Sequence, residues 1–268
     1  MRRGQVTVFI IVAVIIILAV FLSYQTTEQP ITTPTIASPQ QFIESCIGDV
    51  AERGLYKAAS QGGYLHPSGA PEYEEPGDGF SHKEHYFFED SILPYSIDGD
   101  KLFLRRTEDT ENVVSKFIQQ ESENCYDLSA FEEQGYTFER SEILPKVQLD
   151  IGPTSTTVKA ERPVKLLREG EEIKLDAVTV TLPLRYGLLH DIAKQFAEKT
   201  VPGEKYILSN HCKEFTPDKW INIYKTPNKF KMDYAVSIVD ASTISKGKAP
   251  LKFNFAIKNI EVIGQCVG

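Results

Sequence analysis

The residues of this 268-residue chain best suited to chemistry are four cysteines, five histidines and one tryptophan. Cys46, Cys125, Cys212 and Cys266 lie far apart, with no CxxC among them. Four cysteines allow three pairings, and in an oxidising compartment such bonds form and persist. The favoured set is Cys46 with Cys125 and Cys212 with Cys266. The second bond would fasten the C-terminus, because only Val267 and Gly268 follow it. Four free or buried thiols, or a structural metal site, are the alternatives. His82 and His85 stand three apart among Glu72, Glu74, Glu75, Asp78 and Glu84. These are zinc-ligand types, but the spacing is not HExxH, and a solvated acidic loop explains it as well. The carboxylates also lack the order of a calcium loop around Gly77 and Gly79. No cofactor is expected.

No catalytic group emerges. His190 and Asp191 are helix neighbours, which do not face each other. Asp127, Ser129 and His211 make a notional triad without a nucleophile motif such as GxSxG. His211 and Cys212 read as strand neighbours that point apart. No phosphate-binding or dinucleotide fingerprint is present. Two aromatic groups remain. Tyr73, Phe80, Tyr86, Phe87, Phe88 and Tyr95 crowd an irregular stretch, residues 66–100. Exposed, they would suit a glycan or protein partner; folded back, they would cover the core. Trp220, Asn222 and Tyr224 share one strand face by parity, as a binding surface or as cross-strand packing.

Two helices precede the strands. Ser38 can cap, Pro39 suits the first helical position, and Gln41 completes a capping box. Ile43, Cys46, Ile47, Val50, Ala51, Leu55 and Ala58 then form an apolar stripe that Gly62-Gly63 ends. Gly48 and Gly54 weaken this helix or admit a close neighbour. A second helix begins near Thr107, with Glu108 and Asp109 at its positive end. Val114, Phe117, Ile118 and Cys125 continue its spacing, so packing the two helices brings Cys46 and Cys125 into range.

Beyond Gly135 the period falls to two. Val147, Leu149 and Ile151 alternate. Ile173, Leu175 and Ala177 change phase to Val178, Val180 and Leu182, which predicts a bulge or turn near Ala177. A long hairpin is expected over residues 156–184, turning at Arg168-Glu169-Gly170-Glu171. Further strands run through Phe230–Ile238 and Leu251–Ile257. One helix, striped by Leu188, Leu189, Ile192, Ala193 and Phe196, is closed by Val201-Pro202-Gly203. The expected fold is α+β: two N-terminal helices, a mainly antiparallel sheet and one covering helix.

The formal net charge is -8, from 29 basic and 37 acidic residues. Only Arg2 and Arg3 fall in the first 25 residues, so 27 basic face 37 acidic residues beyond them. Such a surface repels a phosphate backbone, which excludes nucleic acid as the expected partner. A hydrophobic share of 41% excludes a wholly disordered chain.

Residues 6–22 are apolar apart from Thr7. A helix over residues 6–24 would span about 28 Å, close to a bilayer's hydrocarbon thickness. A removable signal peptide and a buried helix are the other readings. Arg2 and Arg3 precede the run, and the next basic residue is Arg53. That asymmetry predicts a cytoplasmic N-terminus and an extracellular remainder. The expected order is a cytoplasmic stub, 1–5, a transmembrane helix, 6–24, a Thr/Pro-rich linker, 25–37, and an ectodomain, 38–268. No Asn-x-Ser/Thr sequon occurs.

Arg2-Arg3-Gly4-Gln5 before the apolar run resembles an archaeal class III, prepilin-like signal. The resemblance implies cleavage by a prepilin-type peptidase between Gly4 and Gln5, and bundling of the new N-terminal helices into a filament core. Phe9 departs from the Glu that such pilins often carry at the fifth mature position. The remainder resembles uncharacterised archaeal membrane-anchored surface proteins, through Arg3–Thr7 and Gly62–Tyr64. That likeness implies no activity. The expectation is therefore a single-pass structural or pilin-like surface protein whose partners are the bilayer, the peptidase and its own copies or another envelope component. The alternative is an anchored module binding an envelope glycan or protein through Tyr86, Phe87 and Phe88 or through Trp220 and Tyr224. An extracellular hydrolase ranks third.

Overall fold

Ile43, Ile47, Val50, Ala51, Leu55 and Ala58 are buried along helix α1 (Pro39–Ser60). The computed structural model describes residues 38–65, 85–88, 91–98, 101–139, 143–200, 205–227, 233–258 and 260–267. The chain divides into two units, Met1–Ser38 and Pro39–Gly268, and the second is described below. Gly4, Gln5, Phe9, the apolar run, the linker, Tyr73, Phe80, His82 and the expected helix stop at Val201-Pro202-Gly203 lie outside the described residues. Among the described residues, no helix is long and apolar enough to cross a membrane.

Helix α1 stops where two glycines take positive φ, +68° at Gly62 and +94° at Gly63. The Gly63 N–H then returns to Ala58 O at 2.8 Å, which closes the last turn. The earlier glycines serve close approach. A Cβ at Gly54 would lie 2.8 Å from the Phe117 ring on helix α2 (Thr107–Glu121). One at Gly48 would meet the Val180 side chain at 3.3 Å.

The described strands form two main sheets and a small ribbon. In the first, strands run in the order β1 (His85–Phe88), β2 (Ser91–Asp98), β11 (Leu251–Lys258), β10 (Tyr234–Asp240) and β9 (Ile221–Pro227). β3 (Lys101–Leu102) also pairs with β2. β2 lies parallel to β11, whereas the other pairs in this sheet are antiparallel. The second sheet is built on β6 (Thr156–Arg168), which pairs with β7 (Glu171–Leu182), β4 (Tyr136–Glu139) and β5 (Lys146–Ile151). The ribbon pairs β8 (Lys205–Ile207) with β12 (Glu261–Ile263) in parallel. The domain is therefore α+β, with one mixed and one antiparallel sheet.

The β6–β7 hairpin turns through Glu169 (φ 54°) and Gly170 (φ 89°), as a two-residue turn between twisted strands requires. Its register slips beside Ala177, with the extra residue on β6 at Arg162-Pro163. Pro163 has no N–H to lose from the ladder there. Helix α3 (Tyr186–Lys199) packs on the first sheet, with Tyr186 and His190 edge-on to Phe253 and Phe196 against Phe255. One continuous core joins α1, α2 and α3 to both sheets.

Four expectations need correction. Tyr86, Phe87 and Phe88 belong to strand β1 rather than to an irregular loop, because β1 pairs residue by residue with β2. The strands divide between separate sheets rather than forming one sheet. Cys125 does not continue α2; it sits in a following 3-10 turn, Glu123–Tyr126, after the chain tightens at Ser122. His211 and Cys212 occupy consecutive helical turns, Leu208–His211 and α4 (Cys212–Phe215), rather than a strand.

Candidate functional site

Strand β9 buries Ile221 and Ile223 and turns Asn222 and Tyr224 the other way. Trp220 immediately precedes it and extends the ladder, because Ala241 N–H donates to Trp220 O at 2.9 Å. By register, Trp220, Asn222 and Tyr224 therefore share one outward face. Trp220 is 37% exposed and Tyr224 40%. Parity places all three on a strand; Asn222 and Tyr224 lie on β9, whereas Trp220 lies in the turn that enters it.

The turn is pinned from beneath. Asp218 Oδ1 accepts from Trp220 N–H at 2.8 Å. Its other oxygen accepts from Arg185 Nη1. The same guanidinium grips Asp240 from Nε at 2.8 Å and from Nη2 at 2.5 Å. Asp240 is fully buried and also accepts from Ser242 N–H at 2.9 Å. Burial pushes the Asp240 carboxyl up, but hydrogen bonds from Arg185 and Ser242 outweigh it, and the net direction is down. Asp218 moves the same way: burial raises it, while Arg185 and the Trp220 N–H carry it lower. The Asp240 hydrogen bonds, with those of Asp218, raise the Arg185 guanidinium further despite burial. All three groups are therefore charged across the ordinary pH range.

Sequence reasoning missed Arg185, Asp218 and Asp240. A signal was present: Asp240 continues the inward parity of Val236 and Ile238. A carboxylate at a buried position requires a cation, and Arg185 stands just before the apolar stripe of α3.

The other candidates fall into place around the core. Cys46–Cys125 and Cys212–Cys266 are disulfides, with Cα separations of 5.4 and 5.2 Å. The second lies beside β9, since Ile223 and Cys266 exchange backbone hydrogen bonds of 2.8 and 3.0 Å. His190 is buried; its Nε2 donates to Arg105 O at 2.7 Å, and its Nδ1 faces the Thr107 hydroxyl at 3.3 Å. Asp191 stands 4.0 Å away with an exposed carboxylate, too far for a hydrogen bond. His211 stacks on Tyr206 and faces Glu214 at 3.6 Å, whereas Asp127 accepts from Ser129 N–H at 3.2 Å. Their described contacts do not join these three residues into a triad. Among the described residues, no three His, Cys, Asp or Glu side chains converge to hold a metal ion. His85 is placed in β1.

The Gly62-Gly63 turn sits in a tight polar setting. A Cβ on Gly63 would fall 2.9 Å from Thr110 Oγ1 and 3.5 Å from the Tyr186 hydroxyl. Thr110 donates to Gly63 O at 3.2 Å, and Asn254 Nδ2 donates to Ser60 O at 3.2 Å. This arrangement fastens the end of α1 to α2 and β11. Nothing in it points to catalysis.

Comparison with protein-family models, with curated proteins and with solved structures found no match.

Proposed function

We infer that the chain is a single-pass, membrane-anchored cell-surface protein with a structural or pilin-like role. In this reading, residues 6–24 cross the bilayer, the N-terminus is cytoplasmic and the disulfide-bonded domain lies outside. The carrying observation is that all four cysteines are paired within one α+β domain. Two such bonds suit an oxidising compartment. The apolar run and the paired arginines before it supply the anchor and its orientation. Arg2-Arg3-Gly4-Gln5 supplies the proposed processing point for a prepilin-type peptidase.

The mass of the N-terminal peptide, taken from protein in the native membrane fraction, tests this reading. A mature start at Gln5 supports processing and makes helix-mediated assembly the next question. A start at Met1 or Arg2 removes the processing step and leaves a signal-anchored surface protein. Recovery of the protein in the soluble cytoplasmic fraction, with four free thiols, overturns the location itself.

A second reading, an anchored binding module, is favoured by the exposed Trp220 and Tyr224 on a braced strand.

A further inference from the structure

Ladder register places Asn222, Tyr224 and Lys252 on one face of β9, β10 and β11, on which Val239, Ser237 and Asn254 are buried. Val239 lies between Asn222 and Lys252, and Ser237 between Tyr224 and Asn254. Lys258, which register sets beside Asp98 of β2, holds its ammonium 5.7 Å from the Tyr95 ring. At the near end, Lys219 Nζ lies 4.9 Å over the indole of Trp220. Asp233 is buried and accepts from the Tyr95 hydroxyl at 2.9 Å, and Asp218 is held by Arg185. In a chain of net charge -8, Lys219 and Lys252 are both exposed, the first over Trp220 and the second two strands from Asn222 on the same face.

We propose that the Trp220–Tyr224 face binds an acidic polysaccharide, a glycan chain bearing uronate carboxylates. The assignment rests on the binding-module reading above and names its ligand. Trp220 and Tyr224 are four residues apart on one face, roughly 13 Å along the strand. That step suits a sugar ring and the next but one of an extended chain. Pyranose rings present an apolar C–H face, which stacks on exposed aromatic rings. With Lys219 on one side of the indole, the sugar takes the other side. Lys219 and Lys252 then lie on the side of the chain where carboxylates project. The bracing matters for affinity. Arg185 and Asp218 fix the turn that carries Trp220, so less side-chain and loop freedom is lost on binding.

Trp220 is the chain's single tryptophan, so its emission reports the site directly. The full-length protein in detergent is titrated with hyaluronan oligosaccharides, and in parallel with uncharged dextran and chitohexaose. The expected result is a saturable emission change with hyaluronan that weakens as salt rises from about 0.05 to 0.5 M. Tyr224→Ala, which leaves the reporter in place, should weaken binding about fivefold. Lys252→Gln should weaken it for hyaluronan and reduce the salt dependence. Thermal melting of each variant verifies that the fold is kept. An unchanged spectrum with every glycan overturns the proposal. Equal binding of the uncharged glycans overturns the acidic assignment. Emission that changes with protein concentration alone, together with a dimer in sedimentation, makes the face a contact between copies and also overturns it. None of these outcomes bears on the membrane location, which the N-terminal mass tests separately.

Discussion

Arg185 and Asp240 are joined by two parallel hydrogen bonds, Nε to Oδ2 and Nη2 to Oδ1. The pair ties the start of α3 to the end of β10, and Asp218 extends it to the Trp220 turn. A buried charge without its partner is strongly unfavourable, so Arg185→Met should cost roughly 3–5 kcal/mol at pH 7. Both carboxyls titrate below their ordinary range in the folded state. Their contribution is therefore present above the unfolded-state pKa of about 4 and is lost as the pH falls through and below it. Denaturant melts between pH 2.5 and 7 should show the deficit of Arg185→Met shrinking towards acid. A deficit independent of pH would mean that the pair contributes through packing alone. Arg185→Met combined with Asp240→Leu should recover much of the loss, because no orphan charge remains.

The two disulfides close sequence separations of 79 and 54 residues. Loop entropy depends only weakly on length, so each bond should stabilise by roughly 4 kcal/mol. Cys46→Ser with Cys125→Ser, and Cys212→Ser with Cys266→Ser, should therefore lower stability by similar amounts. The consequences should differ in place. Loss of the second pair frees the segment bridged to Ile223, so hydrogen exchange should rise first at β9 and at residues 264–267. Uniform loss of protection across the domain would show that Cys266 does not act locally.

Stripes and alternation made much of this domain readable. The α1 stripe, the Gly62-Gly63 stop, the β6–β7 turn and the phase change near Ala177 follow from side-chain period and glycine backbone freedom, both of which are local. Cys46 with Cys125 was reachable because Cys46 lies on the α1 stripe and Cys125 closely follows the end of α2. What escaped depends on distant partners. Strand β1 reads as loop because His85–Phe88 is four residues long, and its stability comes from β2. The parallel pairing of β2 with β11 joins Tyr95 to Ala256, 161 positions apart, and leaves no local trace. Of the candidate surface, parity placed Trp220 with Tyr224. The Arg185 brace beneath them lies across three separate segments.

Glu111 offers a second titration, of opposite sign. Its carboxylate accepts from Ile151 N–H at 2.8 Å and so links α2 to β5. Burial raises its pKa, the Ile151 hydrogen bond opposes that, and Asp150 and Glu108 raise it further. A raised carboxyl favours the fold most when protonated, so this contribution is full at acid pH and falls as the pH rises through the folded pKa. Glu111→Gln keeps an acceptor for Ile151 and removes the charge. The variant should be more stable than the parent at pH 7 and equal to it near pH 3. A variant less stable at pH 7 would mean that the charged hydrogen bond outweighs the burial cost.

Gly63 and Gly170 have nearly the same backbone twist, φ +94° and +89°, in different surroundings. A Cβ on Gly170 would meet nothing within 4 Å, whereas one on Gly63 would press on Thr110 Oγ1 at 2.9 Å. Thr110 is fully buried and cannot move away without giving up its bond to Gly63 O. Gly170→Ala therefore measures backbone strain alone, about 1–2 kcal/mol for an L-residue in the left-handed region. Gly63→Ala adds the steric conflict and should cost at least about 1 kcal/mol more, within the range of overpacked core sites. Chemical denaturation of both variants gives the comparison. Equal losses would show that the α1–α2 junction yields, and that the diglycine turn is required for its backbone angles and not for close packing against Thr110.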